Sequence, residues 1–173
     1  MKNKLKVVLI LLLFCGGLLT AQTKEEAMRD AKITSKATLE MDFKTVTKYT
    51  LPSVVKLMGG EENAITFMEN TFDSMKSQGF KFEKAEILDV SEVVEEQGQF
   101  RCYIEGFNQM VMANQRISSK SYLLGIYNED GKYWWFIEAK QLKNKPMMQK
   151  VLPDFETALE IPEDDVKMEP LED

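Results

Sequence analysis

Apolar and polar residues change period once along the chain, near Phe80. Before that point the spacing is helical. Ala27, Ala31 and Leu39 recur at helical intervals, so residues 24 to 41 are predicted as a first helix, opened by the capping box Thr23-Lys24-Glu25-Glu26. Asp42 is placed to cap a second, shorter helix carrying Phe43, Val46 and Tyr49. Leu51-Pro52 ends it, and Pro52 suits the start of another turn, Ser53 to Met58, closed by Gly59-Gly60. Ile65, Met68, Phe72 and Met75 then form one apolar stripe, predicting a helix from about Glu61 to Gln78.

After Phe80 the alternation has period two. It predicts four strands, at 80 to 96, 99 to 115, 118 to 128 and 132 to 142, with the second bulged near Gly106 to Asn108. Gly98 turns the first pair and Asn128-Glu129-Asp130-Gly131 the last. A short helical turn is expected at Met147 to Leu152. Helices first and an antiparallel meander second is an α+β order, with no position for a Rossmann or P-loop nucleotide site. No GxGxxG or GxxxxGK[ST] motif occurs, and no cofactor is expected.

The ends of the chain read differently from this body. Lys2, Lys4 and Lys6 precede the apolar run Val7 to Phe14, and Ala21 stands at a suitable cleavage point. Residues 1 to 21 therefore read as a signal peptide, and the protein is expected to be exported, periplasmic or secreted. The alternatives are an uncleaved anchor and a lipoprotein cut at Cys15. The run is short for a spanning helix, and Phe14 occupies the place where lipoproteins carry a small residue. No membrane span is expected in the mature chain. Residues 22 to 153 form the predicted domain. Residues 154 to 173 carry nine acids against the single base Lys167 and are expected to be a solvated, poorly ordered acidic tail.

Composition removes several chemistries. There is no histidine, which excludes Ser-His-Asp and Cys-His dyads and histidine metal ligands. With two cysteines, and only Cys102 beyond the signal, no cysteine zinc site or disulfide framework is expected. Cys102 lies in a predicted strand and is expected to be buried. The methionines sit on helical stripes or alternate in strands, so they read as core rather than as metal ligands. Net charge is −6 over 173 residues, which argues against nucleic acid as a partner. The lysines between Lys140 and Lys150 read as a solvated loop.

Two stretches resemble a known superfamily. The segment Tyr49-Thr50-Leu51-Pro52-Ser53-Val54-Val55-Lys56-Leu57-Met58-Gly59-Gly60 is similar to the inter-helix passage of small exported NTF2-like (cystatin-like, SnoaL-like) proteins. Ser121-Tyr122-Leu123-Leu124-Gly125-Ile126, with Asp130 to Glu138, resembles their last hairpin. The resemblance implies a cone of three N-terminal helices packed on a curved four-stranded meander. It also implies that Trp134 and Phe136 face the helices, with Glu138 near the mouth of a pocket. The pocket expected on this basis comprises Tyr103, Tyr122, Trp134, Phe136 and Glu138. Superfamily enzymes with an Asp-His pair are excluded by the missing histidine. A carboxylate and tyrosine site would use Glu138 or Glu105 with Tyr103 or Tyr122.

The opposite face of the last strand offers Tyr133, Trp135 and Ile137, an apolar strip where solvent-facing residues are normally polar. It reads either as an interface, a homodimer or a partner complex, or as a face covered by Val151 to Ile161 of the same chain. The functional reading is thus an exported, non-catalytic domain that binds a small apolar or amphipathic ligand or a protein partner. The alternatives are an isomerase- or cyclase-like enzyme, and a structural or assembly subunit.

Overall fold

A computed structural model describes residues 24–171; the expected signal peptide and Thr23 of the capping box lie outside the described residues. Helix α1 spans 24–40, followed by α2 (Phe43–Tyr49), α3 (Pro52–Leu57) and α4 (Glu61–Ser77). The strands are β1 (Lys81–Val90), β2 (Val94–Glu96), β3 (Gln99–Met112), β4 (Gln115–Asn128) and β5 (Tyr133–Glu138). A 3₁₀ turn (Ala139–Lys143), α5 (Lys145–Val151) and β6 (Asp165–Pro170) complete the described chain. The architecture is α+β: helices packed on a curved antiparallel sheet in the order β1-β3-β4-β5, with β2 on β3 and β6 on β4. This is the cone that the resemblance implies, with four helices before the sheet instead of three and with β2 and β6 added to the four main strands.

Local chemistry fixes the elements much as expected. The Asp42 carboxylate accepts from the Thr45 N–H and caps α2, and Pro52 opens α3. Gln97 and Gly98 both take positive φ between Glu96 and Gln99, the geometry of a two-residue hairpin. Four strand expectations need correction. The first predicted strand breaks at residues 91–93 into β1 and β2. The β3–β4 turn is at Ala113-Asn114, both at positive φ, so pairing runs on through Gln115. The bulges lie on β1, between Phe82 and Lys84 and between Ile87 and Asp89, rather than on β3. The last strand stops at Glu138, where the 3₁₀ turn begins.

Strand alternation sorts the sheet into two faces. The inner face carries Cys102 and Ile104 from β3 with Trp134 and Phe136 from β5, packed on Ala27, Ala31 and Tyr49 of the helices. Gly125 makes room here: a Cβ would come within 3.1 Å of Cys102 Sγ and 3.2 Å of Trp134 Cε3, so those side chains would have to shift. Cys102 is buried as expected, and burial pushes its thiol up to about 12, which leaves it unreactive. Helix α1 docks on the free edge of β5 through Asp30, whose buried carboxylate accepts the Trp134 N–H at 3.0 Å and is paired with Arg29. The Leu51 N–H donates to the Phe136 carbonyl at 3.0 Å on the same edge, so this edge is closed to other strands.

The outer face carries Leu124, Ile126 and Ile137, and it is covered. Val151 of α5 is buried against these residues, and the half-buried Trp135, Leu152, Phe155, Leu159 and Ile161 pack against the same cluster. Of the two expectations for the aromatic strip, cover by the same chain describes Trp135 and Ile137. Tyr133 stays with Trp135, its ring edge-on at 6.0 Å and its hydroxyl accepting the indole N–H at 3.3 Å, and it also meets Tyr49 of α2 edge-on at 5.5 Å.

The acidic tail departs from expectation. It is not a loose terminus: residues 155–161 lie on the outer face, and residues 165–170 pair in register with Lys120 to Gln115. What holds it is Arg101, an outer-face residue of β3 that is 2% exposed. Its guanidinium donates to the Glu156 carbonyl at 2.8 Å, to Gln97 Oε1 at 2.9 Å and to Gln99 Oε1 at 2.8 Å, and its plane lies over the Phe155 ring. Glu96 faces it at 3.5 Å and accepts from the Thr157 hydroxyl at 2.6 Å and the Ala158 N–H at 2.7 Å. Burial raises the Glu96 carboxyl, but these two hydrogen bonds and the Arg101 charge outweigh it, so the group is held below its ordinary range.

Two outcomes follow for this clamp. Arg101→Ala strands Glu96 and frees Phe155, and is expected to cost about 3 kcal/mol in urea unfolding. Because the folded Glu96 pKa is depressed, its contribution is complete at neutral pH and is lost as the pH falls below about 4. Acid should therefore weaken the wild type more than Glu96→Gln across that window. Equal acid profiles would show that Glu96 does not hold the tail.

Candidate functional site

Between the helices and the inner face the chain leaves a cavity of about 580 Å³. The size follows from what the sequence places on that face. Beyond Ile104, β3 presents Gly106 and Asn108, and β4 presents Ser119, Ser121 and Leu123 opposite them, so small residues follow the large core residues. Helix α1 carries Ala31, Thr34, Ser35 and Thr38 along the same wall. Trp134 fills the narrow end of the cone instead of lining the cavity. It is fully buried, and its indole Nε1 has no hydrogen-bond partner among the described residues.

The lining is mainly apolar. Phe72 and Phe82, Ile87, Ile104, Met110, Leu123 and Phe136 surround the space, with Val46 and Val54 from the helices. Met110 and Met147 serve as lining residues, the packing role expected of the methionines. Charge collects at the exposed rim. Glu138 pairs with Lys140 at 2.5 Å, and Asp164 lies on the C-terminal approach to β6. The Glu138 hydrogen bond holds the Lys140 ammonium above its ordinary range, against the opposing effect of its burial. Val166 of β6 also lines the rim, so the tail completes the cavity wall.

The expected site residues divide between the faces. Phe136 and Glu138 line the cavity, and Trp134 lies behind it on the same face. Tyr103, Tyr122 and Glu105 do not belong to it. In the register, Tyr103 faces Leu124 and Glu105 faces Tyr122, all with outer-face parity. The two tyrosine rings stack edge-on at 5.9 Å, and Glu105 pairs with Lys120 at 2.7 Å. Burial raises the Tyr122 phenol, and the Glu105 charge raises it further. A site combining a carboxylate with Tyr103 or Tyr122 inside the cone is therefore not what these strands build, because the residues have the wrong parity. The cavity's hydroxyl wall on α1 was missed in the sequence. Its only signal was the i, i+4 pair Thr34 and Thr38 beside the small residues of the same helix.

Among the described residues, no group of three or more His, Cys, Asp or Glu side chains is arranged to hold a metal, and no helix is long and apolar enough to cross a membrane. No family model matches the chain, and no curated protein matches it. Among solved structures it is similar to an LEH-like epoxide hydrolase from M. tuberculosis, at 16% identity and a TM-score of 0.39, covering 75% of this chain and 95% of that chain. A likeness of that size carries no inference about chemistry.

The rim generates one expectation. Removing residues 163–173 deletes β6 together with Asp164 and Val166 but spares the Arg101 clamp. The truncated protein should stay folded, with a melting temperature lower by several degrees, since its strand lies at the surface. Amide exchange of Gln115 to Lys120 should accelerate. Unchanged exchange there would contradict the pairing of β6 with β4.

Proposed function

We propose that the protein is an exported, non-catalytic binding domain whose cone takes a small apolar or amphipathic molecule. The observation that carries this reading is the cavity: about 580 Å³, mainly apolar, with a wall of hydroxyls on α1 and the ion-paired Glu138 and Lys140 at its rim. Cavities of this size and lining suit ligands of drug or lipid-fragment dimensions. The non-catalytic part is supported by the parity of the expected acid and tyrosine residues, which lie on the far face, and by the pairing of Glu138 with Lys140. Export is supported by the basic, apolar and small-residue pattern of residues 1–21.

Nile red, a neutral dye without hydrogen-bond donors, is a suitable probe. It should bind saturably with a blue-shifted emission. Ser121→Phe tests the location, because Ser121 faces Gly106 across the strands and a phenyl group there enters the cavity. The variant should keep the native circular dichroism and lose at least about tenfold in affinity, on the order of 1.4 kcal/mol. Undiminished binding by the variant would place the dye elsewhere and contradict the reading. The exported protein should begin at Gln22 by intact mass, and a lipid-modified mass beginning at Cys15 would overturn cleavage after Ala21.

A further inference from the structure

We propose that the cavity selects apolar molecules ending in a hydrogen-bond donor, an alcohol or a protonated amine, over those ending in a carboxylate. This rests on the ligand-binding reading above and names the ligand class. The selectivity turns on where the hydroxyl hydrogens go. Thr34 Oγ1 donates to the Asp30 carbonyl at 2.9 Å, Thr38 Oγ1 to the Thr34 carbonyl at 3.0 Å, and Thr50 Oγ1 to the Val46 carbonyl at 2.9 Å. Ser35 Oγ donates to the Ala85 carbonyl at 2.7 Å. All four residues line the cavity.

A hydroxyl has one hydrogen and two lone pairs. Once the hydrogen is given to the backbone, the oxygen has only acceptor capacity left for a ligand. This wall is therefore biased towards accepting. At the rim the Lys140 ammonium is paired with Glu138, and the Asp164 carboxylate accepts the Tyr122 N–H at 3.3 Å. Against this wall a ligand carboxylate would lose its water shell to meet other lone pairs, so its donors would have to come from Ser119 and Ser121 on β4. An alcohol or ammonium would find oxygen acceptors in an apolar surround, where a hydrogen bond is electrostatically stronger than in water.

The test is displacement of Nile red from the full-length mature protein at neutral pH by dodecanol, dodecylamine and dodecanoate, each below its aggregation concentration. The three share one chain and differ in the head group. Dodecanol and dodecylamine should displace the dye at concentrations at least about tenfold lower than dodecanoate. Thr34→Val/Thr38→Val keeps side-chain shape and removes two acceptors. It should weaken the alcohol and amine by about three- to tenfold relative to dodecanoate. Dodecanoate competing as well as dodecanol, with the dye bound normally, would overturn the selectivity and leave the binding reading standing. Failure of Nile red and all three competitors to bind would overturn both.

Discussion

The buried guanidinium of Arg101 is the constraint on which the rest of the arrangement depends. An arginine that is 2% exposed on a sheet needs all of its donors met. The β2–β3 hairpin supplies Gln97, Gln99 and Glu96, and the C-terminal segment supplies the Glu156 carbonyl and the Phe155 ring. Meeting those needs brings residues 155–161 onto the outer face, where Leu159 and Ile161 add to the cover over Leu124, Ile126 and Ile137. The same path delivers Asp164 and Val166 to the rim of the cavity on the other side. One polar cluster thereby seals one face of the sheet and finishes the wall of the other.

The division of labour between faces follows. The outer face around Leu124, Ile126 and Ile137 is filled by the chain itself. The inner face is filled only at its narrow end, where Gly125 admits Trp134 against Cys102. Asp30 holds α1 to the edge strand at that end through the Trp134 amide. Further along the strands, Gly106, Asn108, Ser119 and Ser121 lack the bulk to meet the helices, and the space remains.

Much of this was legible in the sequence because it rests on local periodicity. Helices α1 to α4, the Asp42 cap and Pro52 read from spacing and turn chemistry, whereas the parity of Trp134 and Phe136 is what the resemblance implies. Two kinds of feature were not legible. Register is non-local: Ala113-Asn114 gives a weaker turn signal than the Gly-containing turns, so the β3–β4 turn was placed late. Tyr103, Tyr122 and Glu105 were then assigned to a pocket from which their parity excludes them. The tail was misread because its charge suggests solvation. Its docking depends on Phe155, Leu159 and Ile161 finding a face, and on Arg101, whose partner in the tail, the Glu156 carbonyl, lies 55 residues away. Composition carries no trace of that pairing. The cavity was legible only as a resemblance, since an empty space is defined by the residues that fail to fill it.

The central claim is that the inner face holds a ligand cavity while the outer face is sealed by the chain's own C-terminal segment. Methyl-resolved NMR during titration with an apolar ligand tests both halves together. The account predicts saturable shifts at Ile87, Ile104, Met110 and Leu123, with Leu124, Ile126 and Val151 unmoved. Shifts concentrated at Leu124, Ile126 and Val151, with the inner methyls silent, would contradict it.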